Sequence, residues 1–66
     1  MAGGIETDSR KLLALLRADG WVHVATKGDH WQFKHPDRPG RVTVPHPVKD
    51  LRRGTVLSIY RQAGWR

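Results

Sequence analysis

The sequence predicts an α+β domain of order α-β-β-β-α, a three-stranded antiparallel sheet with two helices on one face. Three observations predict it. Apolar residues recur at helical spacing in two stretches, one toward each end of the chain. Between them lie three short runs of β-branched and aromatic residues. The runs are separated by glycine and proline turns too short for a parallel crossover. A sheet of this kind must bury one face, and two amphipathic helices are there to cover it.

The first helix is expected over about 9–19. Asp8 and Ser9 are good caps. Leu12, Leu13 and Leu16, with Leu15 beside them, form one apolar face, and Arg10, Lys11 and Arg17 lie toward the other side. Gly20 supplies a left-handed stop after which Trp21 folds back on the last turn. "WVHVAT", 21–26, reads as the first strand. Lys27-Gly28-Asp29 is turn chemistry. "HWQFKH", 30–35, alternates and reads as the second strand. The cluster Pro36 to Gly40 breaks the chain, and "RVTV", 41–44, is the third strand. "PHPVKD" is a loop, because its prolines exclude helix and inner strand. The last helix is expected from Arg52 to Ala63. There Val56, Ile59, Tyr60 and Ala63 share a face, and Gly64 and Trp65 repeat the ending of the first helix. Residues 1–7 read as a flexible lead-in and 8–66 as one domain.

Size and composition narrow the function. A chain of 66 residues has a thin core and no room for a cofactor domain, so a substrate must meet a surface or a shallow groove. With no cysteine, neither a disulfide nor a thiolate metal site is possible. "MAGGIETDSR" has no apolar run, so no signal peptide is expected, and "LLALL" is far short of a membrane span. The expected location is the cytoplasm. Twelve Lys and Arg oppose six Asp and Glu, a net charge of +6. The surplus favours a polyanion, most often nucleic acid, although charge also serves solubility alone.

Strand alternation then predicts one face in detail. If Trp31 and Phe33 point to the helices, His30, Gln32 and Lys34 point away. If Val42 and Val44 point inward, Arg41 and Thr43 point outward. The same rule turns Val22 and Val24 inward and His23 and Ala25 outward. The open face should therefore gather two histidines and two cations, and no carboxylate. That set suits a phosphodiester. Lys34 and Arg41 hold phosphate oxygens. A histidine moves protons near neutral pH. RNA brings its own nucleophile, the 2′-hydroxyl, so neither a metal nor another cofactor is needed. His30 has the best position, next to the turn, with Gly28 leaving the backbone accessible and Lys27 guiding the strand. His23 is the candidate helper.

Each residue also has an ordinary reading. A histidine after a hairpin turn is as a rule solvated and inert. His35 falls at the inward phase and reads as a strand-end residue, and His46, between two prolines, as a loop residue. The spacing of His30, His35 and His46 fits no metal-ligand pattern. Trp31 reads as core rather than as a base-stacking platform, and Asp29 as a turn former. Thr55 and Ser58 have no base within sequence reach, which leaves nucleophilic catalysis without support.

"DSRKLLALLRADGW", "KGDHWQFKHPDRPGRVTVPHPVKDL" and "GTVLSIYRQAGW" together resemble the HicA toxins of bacterial and archaeal toxin–antitoxin systems. The most specific parts are the Lys-Gly-x-His turn, the aromatic residue after it, and "VTVPHP" ahead of a Gly-Thr helix start. The resemblance covers 8–65. It implies a fold like the double-stranded-RNA-binding domain and an mRNA interferase activity that blocks translation. It also implies an active histidine at His30 and neutralisation by a HicB-type antitoxin that covers the site. Oligomers are then expected only through the antitoxin. Two positions depart from the family pattern: Asp29 stands where many members have serine, and Trp31 where many have a second histidine. An aspartate in place of a phosphate-binding serine would repel RNA. The expectation is thus a metal-independent endoribonuclease acting on mRNA. Its rivals are a non-catalytic RNA- or DNA-binding module using the same face, and a pure interaction protein with an acidic partner.

Overall fold

The computed structural model describes residues 5–66. Its elements are α1 (Ser9–Ala18), β1 (Val22–Lys27), β2 (His30–His35), β3 (Arg38–Pro45) and α2 (Arg53–Ala63). The strands form one antiparallel sheet in the order β1-β2-β3. The predicted α+β architecture is therefore the observed one. Of the expected lead-in, residues 1–4 lie outside the described residues. Ile5 packs against the core, and the Glu6 N–H donates to the Tyr60 hydroxyl at 3.0 Å.

The helices form where the sequence places them, and their ends explain why. The Asp8 carboxylate accepts the Arg10 N–H at 2.9 Å and caps α1. Gly20 (φ 98°) and Gly64 (φ 80°) take the left-handed conformation that ends each helix. The chain then folds back, with the Trp21 N–H donating to Leu16 O and the Trp65 N–H to Tyr60 O, both at 2.9 Å. Each tryptophan next sends its indole N–H to one carboxylate, Asp19, at 3.2 Å from Trp21 and 2.9 Å from Trp65. The Arg38 guanidinium grips the same carboxylate and also donates to Ala63 O at 3.3 Å. Asp19 thus ties the ends of both helices to the start of β3. The Arg38 bond first, then those from Trp65 and Trp21, hold its carboxyl at about 2, below its ordinary 3.8.

One core fills the space between helices and sheet. Leu12 and Leu16 of α1, Phe33 of β2, Val42 and Val44 of β3, and Val56 and Ile59 of α2 are all buried. Within it lies one buried polar side chain, Ser9. Its Oγ accepts the Val48 N–H at 2.8 Å and sits 2.7 Å from His46 Nδ1. The hydroxyl, with one proton and two lone pairs, thus bridges the loop backbone and the His46 ring.

Two expectations about the strands change. β3 begins at Arg38 rather than Arg41, so Pro39 lies inside a strand. β3 is an edge strand, where a missing N–H leaves no ladder bond unmade. The phase of β1 is also reversed at its start. Val22 pairs with Lys34 and His23 with Phe33, and the register slips between His23 and Ala25. Opposed residues share a face, so Val22 lies with Lys34 on the open side and His23 lies on the helix side. Val22 and Val24 are 57% and 47% exposed. The reason is reach. Both helices pack on β3, and β1 is the far edge of the sheet. No helix covers β1, so burial does not dictate which of its side chains turn inward. Instead the His23 ring stacks on Trp31, with centroids 4.4 Å apart, and its Nε2 lies 2.6 Å from Thr26 Oγ1.

Candidate functional site

β2 sets the site. Phe33 is fully buried and pairs with Val42, and Trp31 pairs with Val44, so these rings face the helices as alternation requires. His30, Gln32 and Lys34 consequently face the open side. Lys27 is the cross-strand partner of His30, and Gly28-Asp29 is the two-residue turn between them. Gly28 holds φ 57°, and a Cβ there would meet nothing within 4 Å. The turn is thus open to an approaching strand, but its backbone favours glycine. On the other side of β2, Arg41 Nη1 donates to Gln32 Oε1 at 2.6 Å, which fixes the guanidinium over the middle of the sheet. Lys34 is exposed beside them.

His30, Lys27, Gly28, Lys34 and Arg41 are therefore brought together on or beside one surface. His23 is not, and as the candidate helper it stands corrected. The bulged register of β1 puts its ring on the opposite face, against Trp31. The expected carboxylate-free face is also amended at its corner. Asp29 Oδ1 lies 3.7 Å from His30 Nε2, with both side chains well exposed.

The four histidines divide three to one. His23 bonds Thr26. His35 donates from Nε2 to Asp19 O at 2.8 Å and accepts the Asp37 N–H at Nδ1. His46 bonds Ser9 and stands edge-on to Trp31. His30 alone makes no side-chain hydrogen bond among the described residues. Its ring is 59% exposed. A histidine that holds nothing in place keeps both nitrogens available for a substrate.

Beside His30 the open face runs into a groove of about 330 Å³ between β3 and α2. Thr43, Pro45, Thr55, Ser58 and Gln62 line it with His30. Gln62 joins its walls: Oε1 accepts the Thr43 N–H at 2.9 Å and Nε2 donates to Ser58 Oγ at 3.2 Å. From sequence, Thr55 and Ser58 have meaning only as nucleophiles without a base, and Gln62 carries no expectation. The signal was their spacing, i, i+3 and i+7 on one helix, which sets three polar side chains in a row beside the apolar face.

Residues 9–65 match the family model described as the HicA toxin of bacterial toxin–antitoxin systems. No curated protein matches the chain.

Proposed function

From the premise that the chain belongs to the HicA toxin family, and is thus the toxin of a toxin–antitoxin pair, we propose that it is a metal-independent endoribonuclease that cleaves mRNA and blocks translation. The observation that carries this reading is the state of His30. It is the one histidine not engaged in holding the fold, and it shares its face with Lys27, Lys34 and Arg41.

The chemistry follows from these groups. The 2′-oxygen of a ribose attacks the adjacent phosphorus, and the bond from phosphorus to the 5′-oxygen breaks. A 2′,3′-cyclic phosphate and a 5′-hydroxyl result. One proton leaves the 2′-hydroxyl and one is delivered to the 5′-oxygen, so the balance requires a base and an acid. His30 is one of these. His23 is not the other, because it stands on the opposite face; water at the exposed face takes the remaining proton step. Lys34 and Arg41 stabilise the charge that grows on the phosphorane oxygens. Lys27, beside His30, guides the strand. The antitoxin, acidic and of HicB type, would cover this face and so remove charge and catalyst together. The reaction belongs in the cytoplasm, where mRNA is translated. No helix among the described residues is long and apolar enough to cross a membrane.

The test is His30→Ala on a purified, antitoxin-free protein. Cleavage should fall by about 10²–10⁴-fold, the usual worth of a positioned proton-transfer group. Binding to an uncleavable 2′-O-methyl RNA should change little, and chelation of divalent ions should leave the wild-type rate unaltered. Cleavage that persists in the variant would refute the role of His30. Binding without cleavage in the wild type would leave a nucleic-acid-binding module.

A further inference from the structure

The groove between β3 and α2 differs in kind from the open face it adjoins. The face carries cations, which hold phosphate and read no sequence. The groove carries neither a cation nor a carboxylate. Its polar groups are the hydroxyls of Thr43, Thr55 and Ser58 and the amide of Gln62, with His30 at its mouth. Groups of this type pair with the edges of bases, which present neutral donors and acceptors.

Their hydrogen-bonding state is informative. Gln62 is held at both ends, its Oε1 accepting from the Thr43 backbone and one Nε2–H donating to Ser58. Ser58 accepts from Gln62, which leaves its own proton to donate. Thr55 makes no side-chain hydrogen bond among the described residues, and the residue is half-buried in the groove wall. On α2 two hydroxyls with a free proton thus stand one helical turn apart, lining the same groove as the proposed catalytic imidazole, and the Thr43 hydroxyl on β3 is likewise unbonded among the described residues. At about 330 Å³ the groove is at the small end of the ligand-site range of roughly 300–1,000 Å³. It has room for one nucleotide and none for a duplex.

We propose that this groove seats the base of a single nucleotide flanking the scissile phosphate, and that Thr55 and Ser58 read its edge. The proposal rests on the ribonuclease reading for the identity of its ligand, and it adds the source of sequence preference. The cationic face binds any RNA, and α2 selects among them. Gln62 is a positioning residue that fixes Ser58 and closes the edge of β3.

The experiment uses wild type and the Thr55→Val/Ser58→Ala double variant, with Gln62 untouched. Each selects from a random-sequence pool of 2′-O-methyl RNA, and bound RNAs are sequenced. Each then cleaves an unmodified pool, and cut sites are mapped. Each hydroxyl is expected to supply about 2- to 10-fold of discrimination, as for an ordinary net hydrogen bond. The double variant should therefore lose about 4- to 100-fold of preference in the selected pool while total RNA bound changes little. Thr55→Ser, which keeps the hydroxyl, should retain the preference, and Thr55→Val alone should show part of the loss if the double variant fails to fold. A wild-type preference that survives intact in the double variant would overturn the proposal, as would no wild-type preference at all. A uniform loss of binding across all sequences would mean contact with sugar or phosphate, and would overturn it too. A preference in the selected pool that the variant loses, with no cleavage by the wild type, would uphold the groove and refute the nuclease reading separately.

Discussion

Removing Lys34 should change how RNA binding responds to salt by a calculable amount. Single-stranded RNA releases its condensed counterions when cations replace them, and log K falls with log salt at a slope of about −0.7 per phosphate neutralised. Three exposed cations share the face of His30: Lys27, Lys34 and Arg41. With one phosphate each, the wild-type slope is about −2.1, so affinity drops about 20-fold between 50 and 200 mM salt. Lys34→Ala leaves two contacts, a slope of about −1.4 and a drop of about 7-fold over the same range. The assay is fluorescence anisotropy with a labelled 2′-O-methyl oligonucleotide at four or five salt concentrations. Arg17→Ala is the control. It removes the same charge from α1, on the helix side of the sheet, and should leave the slope near −2.1. If the two variants shift the slope equally, net charge and not this face governs binding. If neither shifts it, the face does not bind RNA.

Two further predictions concern the fold. Ser9→Ala, at a buried side chain, leaves the part-buried Val48 N–H and His46 Nδ1 without their partner. It should cost about 1–3 kcal/mol in chemical denaturation, a large share of what a domain of this size has; a midpoint unchanged from wild type would refute the bonding assigned to Ser9. Asp19→Asn keeps the shape and removes the charge that Arg38, Trp65 and Trp21 hold at a pKa of about 2. Because that value lies below the ordinary 3.8, the carboxylate stabilises the fold above pH 4, and the contribution fades as pH falls toward 2. Thermal melts should show the variant less stable than wild type at pH 7, with the gap closing by pH 2; a gap that stays constant with pH would show that charge is not what Asp19 supplies.

The sequence revealed most where a side chain had no alternative. Phe33 and the valines of β3 had to be buried, and with them came the phase of β2 and β3 and the direction of His30, Lys34 and Arg41. The glycine–tryptophan ends of both helices were legible for the same reason. The first strand was not, although its apolar alternation looked as regular as that of the second. Alternation reports a face only where something covers that face, and β1 lies beyond both helices. Its valines remain in solvent, and a bulge at Val24 resets the register. Pro39 misled in the opposite sense, because a proline breaks an inner strand but sits in an edge strand without loss. Asp19 gave no signal at all. Its three partners come from positions 21, 38 and 65, and only the closed fold brings them together.

The same geometry bears on the two departures from the family pattern. Position 31 pairs with Val44, whose side chain is fully buried, so any residue there points toward the helix side. A histidine at that position would not stand on the open face with His30, and its replacement by Trp31 therefore removes no proton carrier from the surface that would meet RNA. What Trp31 requires instead is cover, and two other histidines supply it, His23 by stacking and His46 edge-on. Asp29 is the departure that stands beside the proposed site. Its carboxylate stands 3.7 Å from His30 Nε2, where a phosphate would approach. At that distance the carboxylate opposes an incoming anion. That repulsion would weaken RNA binding beside His30, and Asp29→Ser should tighten it.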